Sequence, residues 1–210
     1  MATTHLYTYG ITDDADVAFE IDGVDGASDV YAVEHGSLAA IVSDSERMEP
    51  DRSDENLRAH DDVLQELLYR DGGRTVVPMQ FGMVFKNARA LKGVLRGGRR
   101  AFRKALNDVE GRVELGLKIL TDEGATVDRD AIVATVEDRL GPVSVGETEN
   151  GLFSDRLVVN RSYLVEREDQ AAFDEAVDEL IDEYGETLTI QYTGPWAPYS
   201  FVDIEIGAKR

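Results

Sequence analysis

Asp169-Gln-Ala-Ala-Phe173-Asp-Glu-Ala176-Val177-Asp-Glu-Leu180-Ile181-Asp-Glu-Tyr184 is followed by Gly185 and then by Thr187-Leu-Thr-Ile-Gln-Tyr-Thr193. In the first part, Phe173, Ala176, Val177, Leu180 and Ile181 recur at intervals of three and four, the spacing of one helix face turned inward. Gly185 stands where a helix C-cap belongs, and the β-branched run after it reads as a strand. Working backwards from this pair, Leu157 to Val165 reads as a strand and Gly141 to Gly151 as a loop. Asp130 to Leu140 has the pattern of an amphipathic helix, and Val113 to Leu120 that of another strand. Strand, helix, strand, helix, strand in that order predicts a ferredoxin-like α+β sandwich, an antiparallel sheet covered by helices.

The first half has a rhythm of its own. Leu6 to Ile11 reads as a strand, and Val30 to Glu34 with Leu38 to Ser43 as a hairpin around His35-Gly36-Ser37. The acidic stretch Asp13 to Asp29 reads as an exposed excursion. Ser53 is a helix cap with Asp54 and Glu55 in the first turn, and Leu57, Leu64, Leu67 and Leu68 follow at helical spacing. His60 is expected at the edge of that packed face, and Asp71-Gly72-Gly73 ends the helix. Thr75 to Phe85 is strand-like, with Pro78 implying an edge, a bulge or a strand start. Val84, Ala88, Leu91, Leu95, Phe102 and Leu106 form one apolar stripe, interrupted at Gly97-Gly98, where a kink or break is expected. A boundary near Asn107 to Gly111 divides the chain into an N-terminal α+β domain, residues 1–108, and a C-terminal ferredoxin-like one, residues 109–210.

Charge is the strongest compositional feature. The 210 residues carry 42 acidic and 22 basic side chains, a net of −20, and only 5 of the basic residues are lysine. Self-repulsion on that scale opposes compaction in ordinary salt, whereas multimolar salt shrinks the Debye length below about 3 Å and screens it. The balance therefore reads as adaptation to a very salty cytoplasm. No cysteine is present, so disulfides and thiolate metal sites are excluded. No apolar run reaches the roughly 18 residues of a membrane span, and the N-terminus has no export pattern, so a cytoplasmic protein without membrane insertion is expected.

A search for catalytic chemistry finds no glycine-rich nucleotide loop, nucleophile elbow or zincin pair, so neither an enzyme nor a cofactor is expected. His60 has acidic neighbours only at the next two positions, which do not share its helix face, so no metal site is expected there. One charged feature stands out. From Gly72 to Asn107 there is no acidic residue, while the window holds 9 of the 22 basic ones: Arg74, Lys86, Arg89, Lys92, Arg96, Arg99, Arg100, Arg103 and Lys104. Such a basic helix either pairs with the chain's own carboxylates or meets an acidic partner surface. Nucleic acid is disfavoured because no aromatic residues interleave the run to stack on bases.

The other unusual text is Tyr192-Thr-Gly-Pro-Trp196-Ala-Pro-Tyr199-Ser-Phe201, which holds the only tryptophan. Gly194-Pro195 is expected to end the preceding strand, and the prolines to keep the next residues extended. The aromatics then either seal the domain core or form a recognition ledge. This run closely resembles the C-terminal signature of the gas vesicle protein F/L family. Leu6 to Gly10 is similar to that family's opening strand, His60 to Leu68 to its first helix, and Val77 to Gly82 to the strand before its second helix. The matching stretches span nearly the whole chain. Its length suits the shorter F type, and its acidity the haloarchaeal branch. The resemblance implies two α+β domains, the second ferredoxin-like, and a non-enzymatic accessory role in gas vesicle assembly. It also implies binding to the small apolar shell protein, contacts with other accessory proteins, and association with the vesicle. On that expectation the partner-binding candidates are Lys86, Arg89, Arg96, Arg99, Arg100, Arg103, Tyr192, Trp196 and Tyr199. The alternative is a small-molecule-binding regulatory protein of ferredoxin-like fold.

Overall fold

The computed structural model describes residues 4–122 and 124–204. They form the expected α+β class in two compact units, one running to Glu110 and resuming at Val202, the other Gly111–Phe201. The sequence assigned everything after residue 108 to the second domain. Val202 and Ile204 instead pack against the apolar core of the first.

In the first unit, β1 (His5–Thr12), β2 (Ala18–Glu20), β3 (Asp29–His35) and β4 (Leu38–Ser45) are followed by α1 (Asp54–Tyr69). Then come β5 (Val77–Pro78), β6 (Val84–Phe85), α2 (Ala88–Gly97) and α3 (Arg99–Val109). The sheet order is β2-β3-β4-β1-β5, with β6 also paired to β1, and every pairing is antiparallel. β1 is buried almost throughout because helices cover both its faces. Leu6 and Ile11 pack with Leu91, Leu95 and Phe102 of α2 and α3, while Tyr7 and Tyr9 lie against His60 of α1.

Ser53 caps α1 by accepting from the Asn56 amide, as expected, but Leu57 is only half-buried, and Ala59 and Val63 complete the packed face. Residues 13–29 are not a simple excursion. Val17 and Val24 are buried, and β2 extends the sheet by pairing with β3. Thr75 to Phe85 is not one strand but two two-residue pairings on β1 separated by a turn. The apolar stripe from Val84 to Leu106 divides at Gly98, which ends α2 and begins α3. A Cβ there would lie 2.7 Å from the Phe102 ring, so only glycine lets that ring fold back beneath the break.

The second unit runs β7 (Arg112–Thr121), α4 (Arg129–Leu140), β8 (Gly146–Glu149), β9 (Leu157–Glu166), α5 (Gln170–Tyr184) and β10 (Leu188–Trp196). Sheet order is β10-β7-β9-β8, all antiparallel, so each strand–helix–strand crossover is split by a strand of the other, the ordering of the ferredoxin-like motif. Ile132, Val136 and Leu140 of α4 and Phe173, Val177 and Leu180 of α5 meet Leu115, Leu117, Ile119 and Tyr163 of the sheet. Ile181, expected inward, is 40% exposed: it lies on the flank of α5, about 70° from the centre of the buried stripe. Residues 141–151, expected as a loop, contain β8, a polar edge strand of four residues.

β10 also departs from expectation, because it does not stop at Gly194-Pro195. The ladder shifts register after Thr193 and resumes with Trp196 opposite Glu114. Gly194 adopts φ +112°, and a Cβ there would sit 2.8 Å from the Glu114 carbonyl oxygen. Proline is tolerated because β10 is an edge strand. The residues after it are not extended, since Tyr199–Phe201 close a 3₁₀ turn.

Candidate functional site

The break expected at Gly97-Gly98 falls at Gly98, so the basic run lies on two helices. On α2 and α3 the apolar side, Leu91, Leu95, Phe102, Ala105, Leu106 and Val109, is buried in the first unit. Arg89, Lys92, Arg96, Arg99, Arg100, Arg103 and Lys104 are all exposed on the remaining surface, and Lys86 is exposed just before α2. Arg74, from the same acid-free window, sits elsewhere: it is mostly buried and paired with Asp14 at 2.8 Å.

Which partners these cations have decides between the two readings of the run. Lys104 pairs with Asp108 one turn along α3. Arg103 reaches the Ser37 carbonyl at 3.5 Å. Among the described residues, no carboxylate lies within ion-pair distance of Lys86, Arg89, Lys92, Arg96, Arg99 or Arg100. A chain with 42 acidic residues thus leaves six cations of one surface facing solvent. Beside them α2 and the end of β3 enclose a groove of about 500 Å³, lined by His35, Ala88, Arg89, Lys92, Gly93 and Arg96. Its chemistry suits an anionic or carbonyl-bearing surface.

The aromatic candidates divide between core and surface. Tyr192 is half-buried, stacks 6.1 Å from Phe173, and donates its hydroxyl to Asp174. Burial first, then that carboxylate, holds the Tyr192 hydroxyl far above the usual phenol range, so it stays protonated. Tyr199 is half-buried in the closing turn, whereas Trp196 is 40% exposed. The segment after β10 is fastened by Glu114, a buried carboxylate that accepts from the Ser200 amide at 2.8 Å and the Ser200 hydroxyl at 2.6 Å. Tyr192 therefore belongs to the core, Tyr199 to the turn, and Trp196 to the surface.

Sequence reasoning places His60 at the rim of a packed face, but it is almost fully buried. Its Nε2 lies 3.0 Å from the Met79 carbonyl, which can only accept, so that nitrogen carries the proton. Nδ1 then accepts from the Tyr7 hydroxyl at 2.7 Å, and Tyr7 accepts from the Gly82 amide at 3.3 Å. Tyr9 and Phe81 pack around the imidazole. Burial lowers the His60 pKa to about 4, outweighing the Met79 carbonyl, and raises both Tyr7 and Tyr9. This is a neutral structural network linking β1, α1 and the turn after β5. Only the tyrosines spaced two apart in Leu6 to Ile11, alternating toward α1, carry any sign of it in the sequence.

Arg161 has a structural role that its sequence neighbours do not announce. Its side chain is 7% exposed and meets Glu137 and Glu149 at 2.8 Å and Glu147 at 3.6 Å, fixing α4 and β8 to β9. The Asn160-Arg161-Ser162 triplet is entirely buried. Among the described residues, no group of three acidic or histidine side chains is placed to hold a metal ion, and no helix is long and apolar enough to cross a membrane.

Against known proteins, the sequence matches the family described as gas vesicle synthesis protein GvpL/GvpF over residues 5–129 and 125–203. It is 59% identical over 206 residues to gas vesicle protein F of Haloferax mediterranei, covering 98% of this chain and 97% of the relative. Identity to gas vesicle protein F1 of Halobacterium salinarum is 56% over 208 residues, covering 99% and 97%. The fold superposes on the crystal structure of GvpF from Anabaena sp. with a TM-score of 0.83 at 23% identity, covering 96% of this chain and 99% of that one. For GvpF from Microcystis aeruginosa the TM-score is 0.84 at 19% identity, covering 95% and 99%.

Proposed function

Since the chain belongs to the GvpL/GvpF family of gas vesicle proteins and takes part in gas vesicle formation, we propose that it acts there as a non-catalytic carrier of the vesicle's small apolar shell protein. Unassembled shell subunits expose apolar surface and aggregate unless something covers it. A chain of net charge −20 bound over that surface keeps the complex dispersed, because each bound copy replaces exposed apolar area with strongly hydrated carboxylates.

The observation that carries this reading is the exposed basic surface of α2 and α3, with six cations that no carboxylate of the described chain neutralises. An unpaired basic face is complementary to a partner that presents acidic or carbonyl groups. Multimolar salt weakens the Coulomb term, so hydrogen bonds from the guanidinium groups and apolar contact must supply the affinity. On the second unit, considered by itself, exposed Trp196 is a separate aromatic candidate of the kind that dominates binding energies. Other gas vesicle accessory proteins are further partners on the same reading, in the cytoplasm and at the vesicle.

Light scattering from purified shell protein, diluted into multimolar KCl with and without an equimolar amount of this chain, tests the proposal. Suppressed scattering is the expected result. Scattering that rises equally with the chain present would overturn it.

A further inference from the structure

Among the described residues β10 pairs with β7 alone, so its outer side is a sheet edge. Natural edges are usually guarded by charges that discourage pairing. This one carries no charge: Leu188–Trp196 has no charged residue, although charged residues make up 30% of the chain, and its guards, Pro195 and the register shift, lie only beyond Thr193. Thr189, Gln191 and Thr193 are exposed along it.

The text of the strand says what can pair there. Thr189-Ile190-Gln191-Tyr192-Thr193 has the same character read in either direction: threonine at both ends, glutamine at the centre, an apolar residue between. We propose that two copies of the chain join antiparallel along β10, about a two-fold axis through Gln191. In that register Thr189 faces Thr193 of the other copy, Ile190 faces its Tyr192, and the two Gln191 residues face each other. Aromatic with β-branched and threonine with threonine are stabilising cross-strand pairs. Ile190 and Tyr192 both pack on the helix-covered side of the sheet, so this register places the helices of both copies on one face. The register shift after Thr193 limits the seam to this segment and so disfavours slipped alternatives.

A second, independent feature lies over the same edge. On α5 the flank carrying Glu183 pairs with Arg139 of α4, while the opposite flank carries Asp174, which holds Tyr192 of β10. At 100° per residue Ile181 shares the flank of Asp174. It is 40% exposed on the side of α5 that lies toward β10. Asp178 lies on the same side, so the paired α5 helices repel at low salt and associate when salt screens them.

The experiment uses the absence of cysteine in the natural chain. Sedimentation equilibrium in multimolar KCl is expected to give twice the chain mass of 23.2 kDa, falling to a single mass as salt is lowered. Gln191→Lys, at an exposed position, is expected to hold the chain at the single mass in high salt. Under mild oxidation Gln191→Cys is expected to cross-link to itself. Thr189→Cys and Thr193→Cys should cross-link to each other when mixed, and neither to itself. A single mass at every salt concentration, a double mass that survives Gln191→Lys, or self-cross-linking of Thr189→Cys would each overturn the proposal. The cross-linking pattern remains decisive if Gln191→Lys fails to fold.

Discussion

His60 offers a stability test whose size follows from its surroundings. The folded imidazole titrates near pH 4 because burial penalises its charge, against about 6.5 in an unfolded chain. A group with a depressed folded pKa contributes its stability in full above the unfolded value and loses it as pH falls. Here the unfolded chain binds a proton from pH 6.5 downward while the folded one declines it until pH 4. Across that interval of about 2.5 pH units the loss approaches 3.4 kcal/mol, of which about 2.5 kcal/mol has gone by pH 4.5. Glutamine at this position can still donate toward Met79 and accept from Tyr7, but it does not titrate. His60→Gln should therefore be less stable than the natural chain at pH 7.5, by about 1–2 kcal/mol for imperfect hydrogen bonds in a tight site. That deficit should vanish or reverse by pH 4.5. Urea unfolding at fixed high KCl, followed by far-UV circular dichroism at both pH values, measures it. The 42 carboxylates titrate alike in both proteins and cancel in the difference. Parallel pH profiles for the two proteins would refute the assignment of a buried neutral imidazole.

Gly194→Ala is expected to destabilise the second unit by about 2 kcal/mol or more, because a Cβ at φ +112° lies 2.8 Å from the Glu114 carbonyl; chemical denaturation reads the change. Glu114→Ala removes both hydrogen bonds to Ser200 and should cost about 2–4 kcal/mol, with faster amide exchange at Ser200 as the local signature. Phe173→Ala should cost about 3–5 kcal/mol and Ile181→Ala less than about 1 kcal/mol under conditions where the chain is a monomer, since the first is buried and the second lies exposed on the helix flank.

How much of this was legible in the sequence depended on how local the determining interactions are. α5 and β10 declared themselves because period and capping are written within a short stretch of chain, and the ferredoxin-like order followed. β8, Gly-Glu-Thr-Glu, and β2, Ala-Phe-Glu, carry no such signal; each exists because a longer strand beside it offers hydrogen bonds. Ile181 misled for the opposite reason: a count of apolar spacings gives a stripe but not its width. Gly194-Pro195 has the chemistry of a turn, yet the ladder to β7 carries β10 past it to Trp196. His60 could not be placed from its own helix because Tyr7 and Met79, far off in sequence, complete its environment. For the candidate surface, the sequence supplied the acid-free window but not its pairing. That required knowing that Arg74 turns toward Asp14 while six other cations meet no carboxylate among the described residues.

The exposed cations of α2 and α3 are the core of the account, and reversing three of them tests it most directly. Arg99→Glu, Arg100→Glu and Arg103→Glu combined alter exposed side chains without touching the buried stripe, so folding should be retained, as circular dichroism can verify. In multimolar KCl, with purified shell protein, the account predicts that the triple variant loses binding and no longer suppresses light scattering where the natural chain does. A folded variant that binds and suppresses scattering as well as the natural chain would contradict it.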